Sequence, residues 1–382
     1  MDRLQYIFIA IVDKGLSYEP WKVFMTVVIR KPGKAKYNVP KSYRPIMLLN
    51  IMNKLLTAVI AEQLTFYTEK FNLLPYTHFG RRPARTTNNA IHYLVYRIKD
   101  SWRKKQVTSV LFLDIKGAFL NTGNDRLLNN LCARGVPSKI TQFIKNMLKK
   151  RMTTLKFNDY KSEKISIDNG IGQGDPLLMI LYLYYNADLL DIPNAPYEAA
   201  AAYVDDAVLI ATAKTFDETH KILDSMMMRR KRALEWAKEH NLSFKLSKLA
   251  LIDFCHQSKN SHRPPLDIMG TEVIPAAHIK YLGVVLDQNL TWKEQKANTV
   301  KKGSTWAAQI RRVVRSDWGL TPKHAKKLFT SVATPRTFYA IDVWCIPPRK
   351  SENLSLCPGY KQVVNDLSKM QRAGTLAITG GL

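Results

Sequence analysis

Paired cysteines, long apolar runs and acidic side chains are all scarce in this 382-residue chain. Its four cysteines, Cys132, Cys255, Cys345 and Cys357, form no CxxC pair, which argues against a zinc ribbon and fits a reducing compartment. Cys255-His256 with His262 makes at most half of a metal site, and His92 reads as a packed or surface histidine. The apolar segment Tyr6 to Val12 is far below the roughly 20 residues that span a bilayer. Asp2, Arg3 and Asp13 around it do not make a signal-peptide pattern. The expectation is therefore a soluble, intracellular chain with no membrane partner, nucleus or cytoplasm left open. No repeat of fixed period and no low-complexity linker interrupts it, and the clearest loops are Asn260 to Pro265 and Pro347 to Cys357. Acids number 31 against 58 Lys and Arg, a formal net charge of +27. A field of that sign attracts polyanions, with a steep salt dependence from counterion release. Basic clusters fall at Lys99 to Lys105, Lys145 to Arg151, Arg229 to Arg232 and Lys293 to Arg315. The last is helix-like with Trp306 among the bases, suited to a duplex backbone or to a solvated face.

The few acids are placed tellingly. Tyr203-Val204-Asp205-Asp206 sets two adjacent carboxylates between the apolar runs Ala199 to Ala202 and Ala207 to Ala211. Two short strands joined by a two-residue connection is hairpin spacing, with the acids at the turn. Neighbouring side chains on a regular strand point to opposite faces, so two adjacent aspartates converge only where the strand breaks. Like charges this close repel unless one protonates or a cation lies between them, and a hard divalent ion answers that need. A solvated polar turn is the competing reading, since Asp is an ordinary turn residue. Val110 to Phe119 is a buried-strand pattern ending in Asp114, and Gly170 to Pro176 is a glycine-rich turn in which Asp175 can cap and Pro176 can start a helix, Leu177 to Leu190. Helical spacing also marks Met52 to Lys70, Thr87 to Lys105 and Phe216 to His240, with Met226 to Met228 as core filling.

Taken in order, these segments resemble the reverse transcriptase domain of non-LTR (LINE-type) retrotransposons, most closely the type found in fungi. The resemblance runs from about Trp21 to the C-terminus. KPGK at Lys31 to Lys34 with Tyr43-Arg44-Pro45-Ile46 is similar to the fingers segment, and HFGRRPARTT at His78 to Thr87 to a finger motif. FLDIKGAF, GIGQGDP and AYVDDAVLIA are similar to the three palm motifs. Phe244 to Lys248 resembles the next palm element, and Lys280 to Asp287 the primer-grip region. Arg82 and Ala84 stand where that family usually has glycines, His78 where it has glutamine, and Leu178 where it has serine.

The resemblance implies an α+β fold: a right-hand polymerase with fingers, a palm whose antiparallel sheet carries the catalytic acids, and a helical thumb. Fingers and palm would occupy residues 1–285, and a thumb or connection segment 286–382. The length, above the usual single-domain range, agrees with two or three packed subdomains. The implied function is RNA-directed DNA polymerase, extending a DNA primer on an RNA template with deoxynucleoside triphosphates. Asp114, Asp205 and Asp206 fall on the catalytic, metal-binding positions for two Mg²⁺ ions. Phe119 falls on the aromatic position that lies against the incoming sugar and disfavours ribose, which argues against an RNA-dependent RNA polymerase. Gly172, Gln173 and Gly174 match the turn that contacts template and nascent base pair. Lys31 and Arg44 match basic finger positions for triphosphate or template, and Lys248 a late palm lysine that would protonate the leaving pyrophosphate. Two metal ions held by three carboxylates roughly 3.5–4 Å apart would clamp the attacking and leaving oxygens. Full elements of that family usually carry an endonuclease before this domain and often a ribonuclease H or zinc knuckle after it. Neither is visible, so the chain reads as an excised or truncated piece, with a catalytically inactive remnant that only binds RNA as the alternative.

Overall fold

The computed structural model describes residues 3–256, 262–314, 319–345 and 361–379. The loop Pro347 to Cys357 lies outside the described residues, as do Asn260 and Ser261. The chain divides into two compact units, residues 1–90, 108–251 and 263–275 in the first and 91–107, 252–262 and 276–382 in the second.

The first unit opens with α1 (Arg3–Asp13) and then β1 (Val23–Arg30), whose run of β-branched residues suits a strand. β1 pairs antiparallel with β2 (Tyr43–Leu48), Ile29 facing Arg44. α2 (Ile51–Lys70) starts where the Asn50 side chain accepts a hydrogen bond from Met52 N, satisfying one of the helix's orphan donors. α3 (Thr87–Arg103) belongs mainly to the second unit, and β3 (Val107–Asp114) returns to the first. α4 (Asn124–Ala133) and α5 (Ser138–Leu148) follow. β4 (Arg151–Phe157) then pairs parallel with β1 and antiparallel with β5 (Tyr160–Ile167), completing a sheet of order β2-β1-β4-β5.

α6 (Leu178–Leu190) is apolar almost all round, the composition of a fully buried helix. Its start one residue later than the sequence spacing suggests follows from Asp175, whose carboxylate accepts from Leu177 N at 2.9 Å. β6 (Glu198–Tyr203) and β7 (Asp206–Ala213) form the anticipated hairpin, within a second sheet of order β6-β7-β3-β8, where β8 is Ala250–Phe254. A capping box between Thr215 and Glu218 starts α7 (Phe216–Met228).

The single helix expected over Phe216 to His240 is two, α7 and α8 (Ala233–Glu239). Four successive cations, Arg229 to Arg232, lie between them, and like charges on adjoining turns weaken a helix. Lys231 takes φ 61°, and Arg232 turns inward to a buried ion pair with Glu198 at 2.8 Å. Met226 and Met227 are buried as core filling, whereas Met228 is exposed. A short hairpin, β9 (Leu266–Ile268) and β10 (Thr271–Val273), closes this unit. Its core gathers α2, α4, α5, α6 and the inner faces of β3 and β7.

In the second unit, β11 (His278–Tyr281) and β12 (Val284–Asp287) form a hairpin. The Asp287 carboxylate accepts from the amides of Asn289, Thr291 and Trp292, which turns the chain into α9 (Lys293–Val313). α10 (Pro322–Leu328), α11 (Thr334–Thr337) and α12 (Ile341–Trp344) lead on to α13 (Lys361–Thr379), which lies along α9. His92 sits at the surface with Nε2 2.8 Å from Asp342 Oδ2. Among the described residues no helix is long and apolar enough to cross a membrane.

Candidate active site

The β6–β7 hairpin pairs Tyr203 with Asp206, so the two connecting residues are Val204 and Asp205. The expectation that both acids sit at the turn is thus half met: Asp205 lies in the connection, and Asp206 opens β7. Val204 adopts φ 61°, the sign required at the first central residue of a type II′ turn, where glycine is usual. Asp114 ends β3, the neighbour of β7, which brings it to the same edge. Asp205 and Asp206 both reach solvent, yet the protein around them still raises their pKa values. For Asp206, burial and then the charges of Asp205 and Asp114 push the pKa to about 6. For Asp205, burial dominates and Asp114 adds to it.

Asp114 behaves in the opposite way. Burial raises its pKa, but Lys245 and Lys248 outweigh that and hold the carboxyl below its ordinary value. Lys245 Nζ lies 2.6 Å from Oδ1 and Lys248 Nζ 2.8 Å from Oδ2. Both lysines are delivered by backbone pairing: Lys245 N donates to Asp114 O at 2.9 Å, Lys116 N donates to Ser243 O at 2.8 Å, and a 3₁₀ turn over Leu246–Lys248 brings the second amine round. Among the described residues, no three His, Cys, Asp or Glu side chains converge to hold a single metal ion in this arrangement. In kind and in charge, however, the set suits a hard cation. Three oxygen-donor carboxylates interact, two of them with raised pKa values, and the third is already neutralised by cations.

The other candidate residues surround these acids. Phe119 is half-buried, its ring centroid 4.7 Å from that of Tyr182. The Tyr182 hydroxyl is buried without a hydrogen-bond partner among the described residues, and burial, then Asp205, push its pKa well up. The Gly172-Gln173-Gly174 turn docks on β2: Met47 N donates to Gln173 O at 2.6 Å. Gly174 has φ 123°, and a Cβ there would fall 2.4 Å from Met47 O, so only glycine fits. Lys31 and Arg44 flank the β1–β2 connection. Burial lowers the pKa of Lys31, and Arg44, Lys34, Lys245 and Lys248 add to the effect, so these cations share one field.

Within the finger motif the non-glycine residues with positive φ are Arg81 (50°) and Ala84 (56°). Arg82 is instead a buried anchor, bidentate to Glu69 at 2.7 and 3.0 Å. His78 and Leu178, the other departures, are both buried. Lys245 escaped the sequence reading, although its place three residues before Lys248 in Phe244 to Lys248 was a usable signal.

A carboxylate-edged palm sheet beside a fingers sheet defines a nucleotidyl-polymerase architecture, the α+β right-hand fold. The fold is similar to that of apo telomerase from Candida tropicalis, with a TM-score of 0.53 at 10% identity over 98% of this chain and 67% of that one. Residues 29–286 match the family described as Reverse transcriptase (RNA-dependent DNA polymerase), and the chain belongs to that family. Its relatives are polymerases of non-LTR retrotransposons. The probable RNA-directed DNA polymerase from transposon BS of Drosophila melanogaster is 25% identical over 92% of this chain and 39% of that protein. The RNA-directed DNA polymerase from mobile element jockey of the same species is 25% identical over 92% and 38%. This chain therefore spans about two fifths of the length of those relatives. Domains of this family generally use divalent metal ions.

Proposed function

We propose that this chain is an RNA-directed DNA polymerase of a non-LTR retrotransposon, extending a DNA primer on an RNA template with deoxynucleoside triphosphates. The observation that carries the reading is the set Asp114, Asp205 and Asp206, three interacting carboxylates at adjoining strand ends in a chain of this family. Residues 1–285 then act as fingers and palm, and 286–382 as thumb. The assignment to the fungal type rests on the motifs themselves; the two relatives named above are from Drosophila melanogaster.

The three aspartates would hold two Mg²⁺ ions, which when bound stabilise charge on the attacking and leaving oxygens. The primer 3′-hydroxyl attacks the α-phosphorus, a new phosphorus–oxygen bond forms, the bond to pyrophosphate breaks, and the hydroxyl proton passes to solvent water. For Asp114 to take a cation, Lys245 and Lys248 must come off its oxygens. Both have flexible four-carbon stems, and Lys248 is largely exposed. Once released they join Lys31 and Arg44 in facing the triphosphate, and Lys248 supplies the proton to the departing pyrophosphate. Phe119, backed by Tyr182, lies against the sugar and disfavours ribose. Gly172, Gln173 and Gly174 present backbone to the template and nascent pair. Phosphoryl transfer depends chiefly on such positioning and electrostatic stabilisation.

Primer extension on an RNA template tests this, run with deoxynucleotides or ribonucleotides and with or without Mg²⁺. The expected result is Mg²⁺-dependent extension that prefers deoxynucleotides. Salt-sensitive RNA binding without extension would make the chain a non-catalytic remnant and overturn the proposal.

A further inference from the structure

We infer that His78, Asn186 and Gly80 clamp the strained Val204 turn and thereby set the aim of Asp205 and Asp206. This inference rests on reading those two aspartates as the reacting, metal-holding acids. The three clamp residues are positioning residues, since all three are buried.

The starting observation is Val204 at φ 61°. For an L-residue the left-handed region costs about 1–2 kcal/mol, and a β-branched side chain there is an outlier. Such a conformation persists only where the surroundings over-determine it. Three contacts do so. Asn186, wholly buried on α6, donates from Nδ2 to Val204 O at 2.7 Å. The amide is held in that orientation by His78, whose Nε2 lies 2.8 Å from Asn186 Oδ1. The third contact is steric. Thr77 to Phe79 run alongside β6, with Ala202 N donating to Thr77 O at 3.1 Å and Phe79 N to Ala202 O at 2.8 Å. That pairing presses Gly80 onto the turn, where an added Cβ would fall 2.6 Å from Val204 N and 2.5 Å from its Cγ2.

His78 must donate its Nε2 proton to the amide oxygen, which the neutral imidazole can do. Burial pushes its pKa down to about 4, so it stays neutral at ordinary pH. Its Nδ1 is buried with no hydrogen-bond partner among the described residues, so the site tolerates an unmet polar atom to keep the outer bond. A position used only for packing would favour an apolar side chain. The clamp ends one residue before Asp205. Relaxation of φ at Val204 would swing Asp205 relative to Asp206, which is fixed in β7.

Mn²⁺ binding to the full chain, read by electron paramagnetic resonance without nucleic acid, separates the possibilities. It is paired with urea unfolding and RNA binding for each variant. Asn186→Leu is expected to weaken Mn²⁺ binding by about tenfold or more, the usual effect of losing an outer-shell partner, while RNA affinity is kept. Glycine adopts positive φ without strain, so in a Val204→Gly background the same substitution should cost less than about threefold. An equal loss in both backgrounds would mean that Asn186 supports the fold and not the turn, and would overturn the clamp. So would Mn²⁺ affinity unchanged by Asn186→Leu but lost in Asp205→Asn. Affinity unchanged in Asp205→Asn would instead overturn the underlying reading of the acids. If Asn186→Leu does not fold, His78→Leu carries the same test, with His78→Gln, which can still donate to the amide, as the expected rescue.

Discussion

Deleting either member of the Arg82–Glu69 pair should destabilise the finger segment, but unequally. The Arg82 side chain is 1% exposed, whereas Glu69 is 30% exposed. Glu69→Ala leaves a guanidinium with almost no access to water and, among the described residues, the carbonyls of Pro75 and His78, 2.8 and 3.5 Å from Nη1, as its remaining partners. Stranding a buried charge costs about 3–5 kcal/mol, and the surviving hydrogen bonds argue for the lower end. Arg82→Met instead leaves a carboxylate that water can reach. Pro75 O keeps the Arg82-independent hydrogen bond from His78 N, at 3.1 Å, so no carbonyl is orphaned. That substitution should cost about 1–2 kcal/mol, the worth of one or two charged hydrogen bonds less the gain from an apolar replacement. Urea unfolding of the two variants, compared at unchanged slope, measures the gap. Arg82→Met as destabilising as Glu69→Ala, or more so, would refute the argument that the stranded charge decides the cost.

Three further outcomes are expected. Ala84→Gly should stabilise the chain by roughly 0.5–1 kcal/mol, because Ala84 holds φ 56° and glycine meets no penalty there; a lower unfolding midpoint would contradict this. Folded Asp206 keeps its proton to pH about 6, whereas an unfolded aspartate releases it near 4. On its account stability is greatest below the unfolded value and declines as pH rises through 6; Asp114, held low, contributes fully above the unfolded value and is lost as pH falls through its folded one. In a carboxyl ¹³C titration, Asp205→Asn should move the Asp206 midpoint downward, and no movement would remove mutual repulsion as a cause. RNA affinity should fall on the order of 10³-fold between 50 and 200 mM salt, as for about six neutralised phosphates, and near-indifference to salt would exclude backbone binding as the main contact.

The strand ends that carry the acids were legible because each is a short apolar run interrupted by charge, a local pattern. The same holds for α2 and for the turn leading to α6. What was not legible depends on partners far along the chain. Nothing in Arg229 to Arg232 says that Arg232 will turn inward to Glu198, so the break between α7 and α8 was invisible. Lys245 reads as one more base until pairing with Asp114 O sets it beside that carboxylate. Arg81 and Arg82 are neighbours of one type, and only Glu69 distinguishes the buried anchor from the residue that turns. The parallel pairing of β1 with β4 joins segments more than 100 residues apart, beyond any local signal. The offset of Asp205 from Asp206 was hidden for a different reason: either acid could fill a two-residue connection, and the alternation of the flanking runs does not choose between them.

The role proposed for these carboxylates is to drive nucleotide addition on an RNA template. Its most direct test is the single-turnover rate of deoxynucleotide incorporation by the parent chain and by Asp205→Asn, at saturating primer–template and Mg²⁺. Extension by the parent is expected, with a loss well beyond about tenfold in the variant and RNA binding retained, because one metal-holding carboxylate is gone. A variant rate within about tenfold of the parent would contradict it.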